Sequence, residues 1–296
     1  MKAISFYLTL PLLYLISAMP LWLLYGVCDV IFVLLYFVIG YRKKVVFENL
    51  RNSFPEKTEK EIHQLARKFY RYLVDLMLET FKTLTVSKRK ANQLCQFSPE
   101  AKAIFDRFAA ENKNIIIVMG HYGNWEWAGN TFSLNCKQQL YVIYHPLRNP
   151  YFNNLIIKMR HRFGTKLIPM SDTTKEMVKN RHTLNATAFI ADQTPKPENA
   201  CWLEFLNQDT PVFWGTERIA QKLDLPIVFI SIHRKKRGQY IIEAEVLFEH
   251  PAQTTEGEIT RRHTAKLEAD IRKQPEIWLW SHRRWKHKRP APVAQD

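Results

Sequence analysis

The chain has 296 residues, 46% of them hydrophobic and 24% charged, a balance that excludes wholesale disorder and supports a sizeable core in one large domain or two small ones. Its 43 Lys and Arg against 28 Asp and Glu give a net charge of +15, which points to an anionic partner: nucleic acid, an acidic protein or a phosphate-bearing membrane surface. Cys28, Cys95, Cys136 and Cys201 form no CxxC pair, so a disulfide framework and a zinc knuckle are both disfavoured against reduced, cytosol-facing thiols.

The first element is apolar. From Ala3 to Tyr41 the only formally charged residue is Asp29. As one continuous helix this stretch would reach about 58 Å at ~1.5 Å per residue, against a hydrocarbon core of about 30 Å. Pro20 and Gly26 are the natural points for a break. Two layouts fit: one spanning helix joined to an interfacial helix, or a re-entrant hairpin with Lys2 and the Arg42-Lys43-Lys44 cluster on one side. A cleaved signal peptide fits less well because the apolar region is too long. A buried pair of core helices fits less well because so long a run carries a single charge. Residues 1–41 are therefore expected to be a membrane anchor.

Residues 42–296 read as one α/β domain. Arg42 to Lys90 is helical in pattern, divided at Ser53-Phe54-Pro55. Phe69, Tyr72, Leu73, Leu76 and Thr80 mark one apolar face. Strands are expected at 114–119, 140–144, 166–169, 186–191, 225–231 and 240–248. Helices are expected between them at 125–134, 150–163, 173–180 and 216–223, and after them at 258–273. This alternation implies a mixed, mainly parallel sheet covered by helices. No internal repeat or low-complexity linker divides it.

The most informative segment runs from Ile115 to Glu126. A buried-type strand enters Gly120, delivers His121 and turns at Gly123. Asn124 is a good N-cap, which places Glu126 in the first helical turn. A loop His followed by a first-turn Glu can meet, so that the carboxylate holds one imidazole nitrogen and the other serves as general base. The position is a strand's carboxyl end, where open α/β sheets place ligands. Asp192 follows Ala188-Phe189-Ile190-Ala191 and is also a strand exit, or a turn cap. The run Arg283 to Arg289, with Trp285 in it, and the cluster Arg234 to Arg237 suit an anionic membrane surface, lipid phosphates or an acidic carrier protein.

His121-Tyr122-Gly123-Asn124-Trp125-Glu126, His145-Pro146-Leu147-Arg148-Asn149-Pro150, Met159 to Gly164, Ala191-Asp192-Gln193, Phe213-Trp214-Gly215 and Trp280 to Lys286 together resemble the late acyltransferases of lipid A biosynthesis. These are the lauroyl/myristoyl transferases related to the glycerolipid acyltransferases. The resemblance implies a glycerolipid-acyltransferase-like α/β domain on the cytoplasmic side of the cell inner membrane. It also implies transfer of an acyl chain from acyl-acyl carrier protein to a hydroxyl of a lipid A precursor, among membrane lipids. By the same resemblance His121 is the base, Glu126 its orienting carboxylate, and Arg160 and Asp192 further catalytic residues. Asn124, Arg162, Gln193, Arg283 and Arg284 are the candidate substrate contacts. Departures at His145, where many members have Arg, and at Glu217 and Arg218 leave a lysophospholipid or an amino-acid lipid open as acceptor.

No G-x-S-x-G elbow, P-loop, G-x-G-x-x-G or HExxH occurs, so neither a cofactor nor a metal is expected. Direct attack by an acceptor hydroxyl is the simplest chemistry, with Arg160 either stabilising an oxyanion or holding a phosphate or neighbouring carboxylate. A nucleic-acid-binding role accounts for the charge but not for the apolar N-terminus or the strand-exit His, and nucleic acid is not expected as a partner.

Overall fold

The computed structural model describes residues 2–290; the end of the expected catalytic domain, 291–296, lies outside the described residues. The chain begins with α1 (Lys2–Ala18) and α2 (Leu21–Val33), which continues in wider π-type turns over Leu34–Ile39, then α3 (Lys43–Ser53), α4 (Glu59–Lys82) and α5 (Lys88–Leu94). Next come β1 (Cys95–Phe97), α6 (Pro99–Ala110), β2 (Ile115–Met119), α7 (Trp125–Asn135), β3 (Gln139–Tyr144), α8 (Pro150–His161), β4 (Lys166–Pro169) and α9 (Thr173–Lys179). The last part holds β5 (Asn185–Ile190), β6 (Ala200–Phe205), β7 (Gln208–Phe213), α10 (Gly215–Leu223), β8 (Ile227–Lys236), β9 (Gln239–Phe248) and α11 (Glu258–Lys273).

Seven strands form one sheet in the order β1-β9-β8-β2-β5-β3-β4. Every neighbouring pair is parallel except β8 with β9. This is the expected mixed, mainly parallel α/β fold. Central strand β2 is buried along its whole length, as a parallel strand covered on both faces must be. Its period-two alternation divides the core. Ile115, Ile117 and Met119 join Phe105, Trp127 and Phe132 from α6 and α7, while Ile116 and Val118 join Met177, Ala220 and Ile259 from α9, α10 and α11.

Several details depart from the sequence reading, which expected neither β1 nor α6. The hairpin β6–β7 forms its own antiparallel pair, turned by Leu206 and Asn207, both at positive φ. That is primed-turn geometry without the usual Asn-Gly signature, and Pro211 inside β7 disguises the strand. In the N-terminal segment the chain breaks at Pro20, which precedes α2 in an extended conformation. Gly26 does not break it and sits inside α2. Leu21–Ile39 is long and apolar enough to cross a membrane, with mean hydropathy 2.3. One face is packed, however: Leu24, Cys28, Phe32 and Tyr36 share a core with Phe69, Tyr70 and Leu73 of α4.

The turn after β2 depends on glycine. Gly123 has φ +63°, and a Cβ there would lie 2.1 Å from the Ile232 carbonyl oxygen. Gly123→Ala is therefore expected to destabilise the protein by more than about 1 kcal/mol, seen as a melting temperature lowered by a few degrees. An unchanged melting temperature would mean that this turn relaxes freely.

Candidate active site

The site is built where β2 and β5 end side by side. These strands are parallel, with Met119 opposite Ile190, and the Ala191 N–H donates to the Met119 carbonyl at 2.9 Å. Two residues further along each strand stand His121 and Asp192. Register alone thus brings together side chains far apart in sequence, since neighbouring strands are about 4.8 Å apart. His121 Nδ1 lies 2.6 Å from Asp192 Oδ1, and the His121 backbone N–H donates to Oδ2 at 2.8 Å. Gly120 permits this closeness, because a Cβ there would meet Leu267 of α11 at 2.6 Å and Asp192 Oδ2 at 3.2 Å.

Asp192 is buried, which opposes its charge. The partly exposed imidazole, the Trp278 indole N–H at 2.8 Å and the His121 backbone N–H outweigh that burial and hold the carboxyl down at about 2. An ionised carboxylate only accepts hydrogen bonds, so Nδ1 is the donor to Asp192, and in the neutral tautomer that this bond selects the lone pair sits on Nε2. The Gln193 amide nitrogen stands 3.3 Å from that Nε2. The C-terminal segment closes over the pair: Tyr122 bridges to Trp278, and the Gly123 N–H donates to the Ile277 carbonyl at 3.0 Å.

The carboxylate that holds His121 is therefore Asp192 and not Glu126, contrary to the sequence expectation. From the first turn of α7, Glu126 points to α8 and takes two bonds from Arg160, Nε–Oε2 at 3.0 Å and Nη2–Oε1 at 2.6 Å. Burial disfavours both charges, but the pairing prevails: the Glu126 carboxyl stays below and the Arg160 guanidinium above its ordinary value. Of the alternatives for Arg160, the neighbouring carboxylate is the one seen. This ion pair helps line a narrow apolar slot between α7 and the sheet, where Met119, Gly129, Leu140 and Ile190 also contribute.

The remaining expected contacts divide. Gln193 reaches His121, and Arg283 is exposed nearby, its carbonyl accepting from the Thr194 hydroxyl at 3.4 Å. Asn124 is fully buried; it caps α7 through Trp127 N at 3.0 Å and donates to Glu79 Oε2 at 2.8 Å. Arg162 is engaged elsewhere, donating to the carbonyls of Thr83 and Val86 at 2.9 and 2.6 Å. Arg284 is no surface cation. Burial pulls its guanidinium down to about 10 while Asp192 opposes the shift, and Nε and Nη1 have no partner among the described residues. Sequence reasoning missed Trp278, and gave no role to His282, which lies in the Trp280 to Lys286 run; burial pushes its ring down to about 4 against the opposing charge of Asp192. Both come from the C-terminal segment, where only the fold reveals their proximity. No cysteine joins the site: Cys28, Cys95 and Cys201 are buried and Cys136 partly so, and burial pushes the Cys95 and Cys136 thiols up to about 12.

A strand-exit His–carboxylate pair, a buried Arg–Glu pair and an apolar slot between helix and sheet define a site suited to general-base chemistry on an apolar substrate. The chain belongs to the bacterial lipid A biosynthesis acyltransferase family, whose model it matches over residues 1–287. It is similar to a lipid A biosynthesis acyltransferase of Haemophilus influenzae, 22% identical over 238 residues that cover 78% of this chain and 72% of the relative. It is also similar to the lipid A biosynthesis myristoyltransferase of Escherichia coli, 18% identical over 251 residues covering 83% and 75%.

Proposed function

We propose that this protein is a membrane-bound O-acyltransferase that moves a fatty acyl chain from acyl-acyl carrier protein to a hydroxyl of a lipid A precursor. Residues 1–41 serve as the membrane anchor, and the α/β domain faces the cytoplasm at the inner membrane. The observation that carries the reading is the His121–Asp192 pair, set beside an apolar slot lined by Glu126 and Arg160.

In this mechanism the acceptor hydroxyl displaces the Gln193 amide from His121 Nε2. It passes its proton to that nitrogen while its oxygen attacks the thioester carbonyl carbon. Asp192 stabilises the imidazolium that forms. Arg160 spends two of its five N–H groups on Glu126, and the others are available to the developing oxyanion, a contribution of about 2.7–4 kcal/mol. The C–S bond then breaks, and the carrier thiolate recovers the proton from His121. With every cysteine outside the site, transfer is direct and passes through a ternary complex.

The slot is the place for the acyl chain. Within it a Cβ on Gly129 would find Leu140 Cδ2 at 3.8 Å and no closer neighbour, so a larger side chain extends into the slot. Gly129→Leu is expected to shift preference to shorter donors, by about fourfold in kcat/KM for each methylene excluded, at ~0.8 kcal/mol per buried CH₂. Donor competition read by mass spectrometry checks this; an unchanged profile would remove the slot from the account. The function itself is tested by giving purified protein acyl-acyl carrier protein with a lipid A precursor, a lysophospholipid or an amino-acid lipid. Product is expected with the lipid A precursor, and its absence there would sink the proposal.

A further inference from the structure

We infer that the N-terminal helices do not cross the bilayer: α1 and α2 lie flat in one leaflet and form an apolar platform under the catalytic domain. The inference rests on the membrane-bound reading and specifies how that binding is made.

Helix α1 is pinned at both ends. Lys2 Nζ donates to the Arg148 carbonyl at 3.1 Å, and Asn149 Nδ2 donates to the Lys2 carbonyl at 3.2 Å. At the other end Lys82 Nζ donates to the carbonyls of Ser17 and Met19 at 2.6 and 2.5 Å. Between these points Phe6 and Leu13 pack with Leu155 and Met159 of α8. The helix is therefore laid along the α/β domain and does not project from it. The bend before Pro20 is held at the polar end of α4.

Helix α2 is docked in the same way, turn by turn, along α4. The Tyr25 hydroxyl donates to Glu79 at 2.8 Å. Asp29 pairs at 2.9 Å with Arg237, which also pairs with buried Asp75 at 2.7 Å. Further along, the Arg71 guanidinium sits 5.0 Å above the Phe32 ring, and Tyr36 lies 5.1 Å from Tyr70, ring to ring. If α2 crossed the membrane, α4 would have to be immersed beside it, with Arg71 and Asp75. The Asp29–Arg237 pair would then lie near the midplane, because Asp29 is close to the middle of Leu21–Ile39. Ionised groups at that depth are costly. With both helices in the plane of the leaflet, these charges stay on its watery side.

The outer faces fit such a leaflet. Leu8, Trp22 and Val38 are 76%, 76% and 73% exposed. Arg42, Lys43 and Lys44 follow the apolar run directly, and cations bordering an apolar helix face suit anionic headgroups. The occupant of this face is thus the outer hydrocarbon of one anionic leaflet.

The test measures depth. Nitroxides are placed singly by Leu8→Cys, Trp22→Cys and Val38→Cys in the full chain carrying Cys136→Ala; the other three cysteines are buried. Ile4 and Ile39, also exposed, replace any position whose variant fails to fold. The protein is bound to vesicles of three parts phosphatidylcholine to one part phosphatidylglycerol, and depth is read from relative accessibility to oxygen and a nickel chelate. All three labels are expected within about 5 Å of one another and about 5–10 Å below the headgroups. A spanning α2 would separate positions 22 and 38 by about 24 Å, at ~1.5 Å per residue. A re-entrant hairpin would make position 22 the deepest of the three. Either result overturns the inference and leaves membrane binding intact. A folded chain that stays off the vesicles, or covers this face by dimerising in solution, overturns the membrane-bound reading as well.

Discussion

Replacing His121 by Ala is expected to lower turnover by roughly 10²–10⁴, the range a positioned general base supplies, in a protein that remains folded. His121 is partly exposed, with 15% of its side chain accessible, so its loss opens little core. What disappears is the lone pair on Nε2. Asp192→Ala should retain more activity than His121→Ala, because it removes orientation and charge stabilisation but leaves the base. It should also cost more stability, since it leaves the Trp278 indole N–H and the His121 backbone N–H without their acceptor. Single-turnover rates at saturating donor, together with thermal unfolding, separate the two effects. Near-normal turnover in folded His121→Ala would remove His121 from the chemistry.

The Glu126–Arg160 pair should behave differently. Its side chains are only 14% and 18% exposed, and replacing one partner leaves the other charge buried and unpaired, a penalty of about 3–5 kcal/mol. Glu126→Leu and Arg160→Met are each expected to lower the melting temperature sharply. The double variant should recover much of that stability, since an apolar pair of similar volume can replace a buried ion pair. It should not recover activity if Arg160 also faces the oxyanion. Full recovery of both would assign the pair a structural role only. A double-mutant cycle measured on stability and on kcat reads the two couplings separately.

Much of the fold is legible in the sequence because it is written in short-range patterns. The strands at β2, β3, β4, β5 and β9 and the helices between them follow from apolar runs and caps. The carboxyl-end position of His121 and Asp192 also follows from them, in keeping with where α/β sheets bind ligands. The pairing of His121 with Asp192 is not local: it requires knowing that β5 lies next to β2. A nearby Glu at a plausible spacing is the more visible choice, yet in the fold it turns to Arg160 on α8. Trp278 is hidden for the same reason, since its indole reaches Asp192 from the C-terminal segment. The apolar N-terminus is plain from composition, whereas its packing along α4 depends on Asp29, Tyr25 and their distant partners.

The most direct test of the central claim is mass spectrometry of lipid A from cells lacking the gene, complemented with wild type or with His121→Ala. Cells without the gene should accumulate lipid A one acyl chain short. The wild-type gene should restore that chain, while the expressed, membrane-recovered His121→Ala protein should not. Lipid A unchanged by loss of the gene, or restored equally by the His121→Ala protein, would contradict the account.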